Sequence, residues 1–105
     1  IFVDGWQYQG QPILLTEFGG ISFAEKDEKA WGYTCIANGE ELEKEYERIL
    51  DALQKSECIA GFCYTQLADV EQETNGLLTC DRKLKVRPEI IRKINDRVNK
   101  KRIRR

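Results

Sequence analysis

Apolar and polar residues follow one another along this chain in blocks of differing period, and the periods predict four elements. Ile13-Leu14-Leu15-Thr16 is a short apolar run between Pro12 and the pair Gly19-Gly20. Four such residues suit a strand buried on both faces, with Glu17 at its C-terminal tip. From Glu40 to Ser56, Leu42, Tyr46, Ile49, Leu50 and Leu53 recur at spacings of 4, 3, 1 and 3 among charged residues, which is one face of an amphipathic helix. Asn38 is placed to cap that helix, Glu41 to complete a capping-box pair three residues on, and an acidic first turn suits the helix dipole. Cys58 to Leu67 is a second apolar stretch of strand length with small residues at Ala60 and Gly61. Arg87-Pro88-Glu89 opens a final helix, because proline at the first helical position lacks only an N–H that has no partner there. Ile90, Ile91, Ile94 and Val98 form its apolar stripe.

Strand, helix and strand in that order make a βαβ unit. A right-handed crossover lays the two strands parallel and brings their C-terminal ends to one edge. The expected fold class is therefore α/β, with two parallel strands, each followed by a loop and an amphipathic helix. The connections differ in character. Ile1 to Gln11, with Trp6 and Tyr8, reads as a loop approaching the first strand. Ile21 to Gly39 is a long connection with a charged centre and the aromatic cluster Trp31-Gly32-Tyr33. Two readings stand for it: a surface loop pinned by Trp31 and Tyr33, or a lid or wall beside Glu17. Asp69 to Lys85 is polar, turns at Asn75-Gly76, and reads mainly as a second strand-to-helix loop with room for a short hairpin.

Composition narrows the class. With 105 residues, 41% hydrophobic and 33% charged, the chain has material for one modest core and is not a disordered polymer. A net charge of -1 argues against general nucleic-acid binding, and the basic run from Lys100 to Arg105 suits a solvated helix C-terminus. No apolar run is long enough to span a bilayer. The chain opens on Ile1 and contains no Met, as expected of a segment of a longer protein. Cys35, Cys58, Cys63 and Cys80 match no zinc or redox spacing and no His is present, so the expectation is four buried or partly buried free thiols, no metal, no cofactor, and a reducing, cytoplasmic setting.

The candidate chemistry sits at the strand ends. A carboxylate closing an apolar strand is costly to desolvate, and Glu17 is followed by two glycines that allow close approach of backbone to a ligand. In α/β folds ligands collect at the C-terminal ends of strands. The predicted crossover sets Glu17 opposite Tyr64, Gln66 and Asp69. Tyr64 offers a ring to the apolar face of a ligand, and Gln66 and Asp69 offer polar groups to hydroxyls. Plain solvation of a loop mouth accounts for the latter two equally well.

The segment Pro12-Ile13-Leu14-Leu15-Thr16-Glu17-Phe18-Gly19-Gly20, followed a helix later by Gly61-Phe62-Cys63-Tyr64-Thr65-Gln66-Leu67-Ala68-Asp69 and Asn75-Gly76-Leu77, resembles the end of the catalytic barrel of glycoside hydrolase family 2, the β-galactosidase and β-glucuronidase family. The resemblance implies that residues 1–105 are the C-terminal fragment of a TIM (β/α)8 barrel, carrying the equivalents of strand 7, helix 7, strand 8 and helix 8, with the earlier barrel and the β-sandwich domains absent. It implies that Glu17 is the nucleophile of a retaining β-glycosidase acting on a carbohydrate such as a β-galactoside, and that Tyr64, after Gly61 and Phe62, lines the sugar subsite; Gln66 and Asp69, from their place at the strand end, and Trp31, from the connection beside Glu17, are the further residues expected to meet the sugar. The family often has Trp where Tyr64 stands. Its acid/base Glu follows an Asn, and no Asn-Glu pair occurs here, so the chain alone is expected to be inactive. A reading from a different class remains open, a non-catalytic α/β module that self-associates through unpaired strand edges and uncovered apolar faces.

Overall fold

A computed structural model of the chain describes residues 3–23 and 34–103. The elements are β1 (Ile13–Gly19), β2 (Ile21–Phe23), β3 (Thr34–Ile36), α1 (Gly39–Lys55), β4 (Ile59–Thr65) and α2 (Pro88–Ile103). The protein is mixed α/β. β1 and β4 form a parallel two-stranded sheet, as the βαβ order predicts. The long connection after Gly20 is not loop throughout: its two ends pair in parallel as β2 and β3. Ile21, Ser22 and Ile36 are buried there, which gives those strands a reason to form. Trp31 and Tyr33, the aromatics expected to pin or wall that connection, lie outside the described residues.

Both helices form where the periodicity places them. The Asn38 side chain accepts from the Glu41 amide at 3.0 Å, and the Glu41 carboxylate accepts from the Ala37 amide at 2.8 Å. The return bond of the cap thus reaches one residue further back than a capping box requires. Leu42, Tyr46, Leu50 and Leu53 of α1 meet Ile91, Ile94 and Val98 of α2 in one core cluster, and Leu15, Phe18, Phe62 and Tyr64 of the sheet pack against it. Across the helix pair, the Tyr46 hydroxyl donates to Asn95 Oδ1 at 2.9 Å, and Arg97 reaches Glu47 at 2.9 Å and Asp51 at 2.6 Å. Burial raises the Tyr46 phenol above its usual range, so it stays a neutral donor. The backbone of α2 runs through the basic residues Lys100 to Arg102, as expected of a helix end.

Two expectations are corrected. β1 is not buried on both faces: Leu14 is 60% exposed, because α1 and α2 cover one side of a sheet of only two strands. The thiols are not all sheltered either. Cys63, on the uncovered side of β4, and Cys80, in the following loop, are exposed, whereas Cys58 is partly buried with its sulfur 3.4 Å from Ser56 Oγ. The Cys35 side chain lies outside the described set.

One packing feature predicts a pH dependence. Glu43 of α1 is a buried carboxylate that accepts from the Arg87 backbone N–H at 2.7 Å and from its guanidinium Nε at 3.1 Å, tying α1 to the start of α2. The Arg87 guanidinium hydrogen bond, against an opposing effect of burial, holds the Glu43 carboxyl below its usual range. A folded pKa below the unfolded one stabilises the fold above about pH 4.3, the ordinary glutamate value, and that contribution disappears as pH falls through the lowered value. The stability gap between the wild type and Glu43→Gln, read from urea midpoints, is therefore expected to be full at pH 7 and to shrink below about pH 4. A gap unchanged down to pH 3 would rule this out.

Candidate active site at the strand ends

The site begins with a fault in the β1–β4 ladder. Leu15 pairs with Phe62 and Phe18 with Tyr64, so β1 advances three residues while β4 advances two. The extra residue is a bulge across Thr16 and Glu17. Simple alternation would send Leu15 and Phe18 to opposite faces; the bulge brings both onto the core side and leaves Thr16 and Glu17 exposed together. Phe18 then meets Phe62 and Tyr64 edge to face, each with ring centroids 5.7 Å apart. Glu17 consequently lies within the strand, two residues before its end, and not at the tip as expected. Among the described residues its carboxylate has no hydrogen-bond or ion-pair partner.

Gly19 closes the strand opposite Thr65, with φ +133°. A Cβ at Gly19 would stand 2.5 Å from the Thr65 carbonyl oxygen and 2.8 Å from the Tyr64 ring, so only glycine allows the two strand ends to meet this closely. Tyr64 lies between Phe18 and Tyr46, 5.0 Å from the latter by ring centroids. Its hydroxyl donates to the Asn75 carbonyl at 3.2 Å, and burial, with smaller effects of Tyr46 and Asp69, pushes its pKa well up. Tyr64 is thus a neutral post that holds the loop after β4.

That loop is organised by two polar centres. In the first, Gln66 Nε2 donates to Asn75 Oδ1 at 2.9 Å and to Glu73 Oε2 at 3.2 Å. In the second, Lys85 Nζ donates to Asp69 Oδ1 at 2.6 Å and to the Thr74 carbonyl at 2.9 Å, while Asp69 Oδ1 also accepts from the Gly76 amide at 2.9 Å. The side chains of Lys85 and Asp69 are only 8% and 12% exposed, so this is a buried ion pair. Of the residues expected at the site, Tyr64, Gln66 and Asp69 come together around residues 73–76. Glu17 stands on the neighbouring strand, one position before the partner of Tyr64. Trp31 lies outside the described residues.

Glu73, Asn75 and Lys85 belong to the site and were not among the expected residues. The Asn75-Gly76 turn was a signal for the first two, since a turn facing a strand end brings its polar side chains there. Nothing local links Lys85 to Asp69, 16 positions away. Among the described residues no group of His, Cys, Asp and Glu side chains is arranged to hold a metal ion, and no helix is long and apolar enough to cross a membrane. A comparison with models of known protein families finds no match, and a comparison with curated proteins finds none either.

Proposed function

We propose that this chain is the nucleophile-bearing end of a retaining β-glycosidase, built as the last part of a (β/α)8 barrel of the glycoside hydrolase family 2 type. The observation that carries the reading is the bulge that leaves the Glu17 carboxylate exposed near the C-terminal end of one of two parallel strands joined through a helix. The Thr16-Glu17-Phe18-Gly19 segment and its resemblance to the family's nucleophile motif support it. So does the uncovered side of the sheet around Leu14 and Cys63, which other strands of a barrel would face.

In this chemistry the ionised Glu17 carboxylate attacks the anomeric carbon, an ester bond forms there, and the bond to the leaving oxygen breaks. A second carboxyl group about 5–5.5 Å away protonates that oxygen and later takes a proton from the water that cleaves the ester. No Asn-Glu pair in this sequence supplies that group, so the reading places it elsewhere in the parent protein. The isolated chain then performs no turnover, and its part is to supply the nucleophile and the loop beside it. The resemblance to the family makes the carbohydrate a β-glycoside such as a β-galactoside.

The uncovered sheet side also favours a second reading, a self-associating module with no catalytic role. One experiment separates the two. A protein carrying residues 1–105 within its full barrel is treated with 2-deoxy-2-fluoro-β-D-galactosyl fluoride, which forms the ester readily and releases it slowly. The expected result is one added fluorosugar on the peptide that contains Glu17, and none in Glu17→Gln. Absence of label in an otherwise folded protein, with the isolated chain sedimenting as a dimer, gives the site to the second reading. Hydrolysis of an aryl β-galactoside by the isolated chain, lost in Glu17→Gln, overturns the division of labour.

A further inference from the structure

We infer that Gln66 is the specificity-determining residue of this site, and that it reads a ligand hydroxyl solely as an acceptor, through its carbonyl Oε1. The inference rests on the carbohydrate reading above and goes beyond it by assigning a residue and the polarity of its contact. A glutamine amide ordinarily recognises donors and acceptors alike, because it carries two N–H groups and one oxygen. Here the two N–H groups have fixed partners: Asn75 Oδ1 at 2.9 Å and Glu73 Oε2 at 3.2 Å. A flipped amide would set its oxygen against the Glu73 carboxylate, acceptor facing acceptor, so that carboxylate also decides the orientation. The carbonyl Oε1 has no partner among the described residues.

The partners that orient the amide are themselves held. Tyr64 donates to the Asn75 carbonyl, the Leu77 amide donates to the Gln66 carbonyl at 3.2 Å, and Lys85 and the Gly76 amide meet on Asp69. Gln66 is therefore fixed at its backbone and at its amide nitrogen, and rotation of the amide would break two hydrogen bonds. It follows Thr65, whose strand partner is Gly19, so it stands at the same end of the sheet as Glu17. A group fixed as an acceptor discriminates in a way a free amide does not: it takes a hydroxyl, which donates, and rejects fluorine at the same ring position, which cannot.

The test uses a protein carrying this chain within its barrel and methyl 1-thio-β-D-galactopyranoside, with the 3-, 4- and 6-deoxyfluoro analogues of that sugar. In the wild type, one analogue is expected to bind about 3- to 10-fold more weakly than the parent thiosugar, the worth of one neutral hydrogen bond. In Gln66→Met the parent binding falls and that gap closes. The wild type alone supplies a second readout that does not depend on the variant folding: on adding the thiosugar, the Gln66 Cδ resonance shifts while its two Nε2 protons stay in place. Movement of the Nε2 protons, or a gap that survives in a folded Gln66→Met, overturns the acceptor assignment and leaves the carbohydrate reading standing. Failure of the wild type to bind any of these sugars overturns both.

Discussion

Replacing Lys85 with methionine is expected to cost about 3–5 kcal/mol of folding stability, the usual consequence of leaving one member of a buried ion pair without the other. The Lys85 and Asp69 side chains are 8% and 12% exposed, and their contact is 2.6 Å, so the Asp69 carboxylate would remain in a poorly solvated place with the Gly76 amide as its remaining partner among the described residues. The Thr74 carbonyl would lose the Lys85 ammonium as well. A single folded domain has about 5–15 kcal/mol in total, so the loss is a large share of the whole and is readable as a urea midpoint lowered by roughly 2 M. The mechanism carries a second expectation. In Lys85→Met combined with Asp69→Asn, the buried charge is gone while the amide oxygen still accepts from Gly76, so part of the stability returns. A double variant no more stable than the single one, or a single variant within about 1 kcal/mol of wild type, would show that the pair behaves as an ordinary surface contact.

Gly76→Ala is expected to destabilise by about 3 kcal/mol, the upper end of the usual cost of overpacking. A Cβ there would stand 2.4 Å from the Ala68 carbonyl carbon and 2.4 Å from the Asp69 amide nitrogen. Those atoms belong to the backbone, so no rotamer change relieves the clash. The loop must open, and the Gly76 contact to Asp69 and the Asn75 contacts to Tyr64 and Gln66 go with it. Gly61→Ala makes the contrast. Among the described residues its Cβ would meet only Leu14 Cδ2, at 2.9 Å, the far end of a side chain on the uncovered side of the sheet that can turn away. Thermal melts should place Gly76→Ala on the order of 10 °C below wild type and Gly61→Ala close to it. Equal melting temperatures for the two variants would show that the loop yields as easily as the exposed leucine.

Lys85 and Gly76 hold the loop from which the candidate site draws its polar groups. Tyr64 and Asp69 were expected to offer a ring and a carboxylate to a ligand. In the structure the Tyr64 hydroxyl and Asp69 Oδ1 are bound to protein atoms, and their contacts set the position of Asn75 and Gly76. Gln66, oriented by the same loop, retains an acceptor that has no partner among the described residues.

What the residues alone determined is local. The helix from Gly39 to Lys55 and its Asn38 cap, the opening of α2 at Pro88, the strand from Ile59 to Thr65 and the parallel pairing of β1 with β4 all follow from hydrophobic period, end chemistry and the handedness of a crossover. The carboxylate of Glu17 near a strand end was legible for the same reason. Tertiary structure decided everything that depends on which side of an element is covered or on residues far apart in sequence. The bulge that turns Phe18 inward and leaves Glu17 exposed arises because Leu15 and Phe18 both find apolar partners on the helix-covered side, which alternation along β1 alone could not foretell. Leu14 and Cys63 are exposed because two helices cover one face of a two-stranded sheet. The Lys85–Asp69 pair, the Gln66 amide and the Glu43–Arg87 tie depend on how the chain returns upon itself across 16, 9 and 44 positions. Period and propensity are properties of neighbours along the chain, whereas a buried charge is stable only beside a partner that folding brings to it.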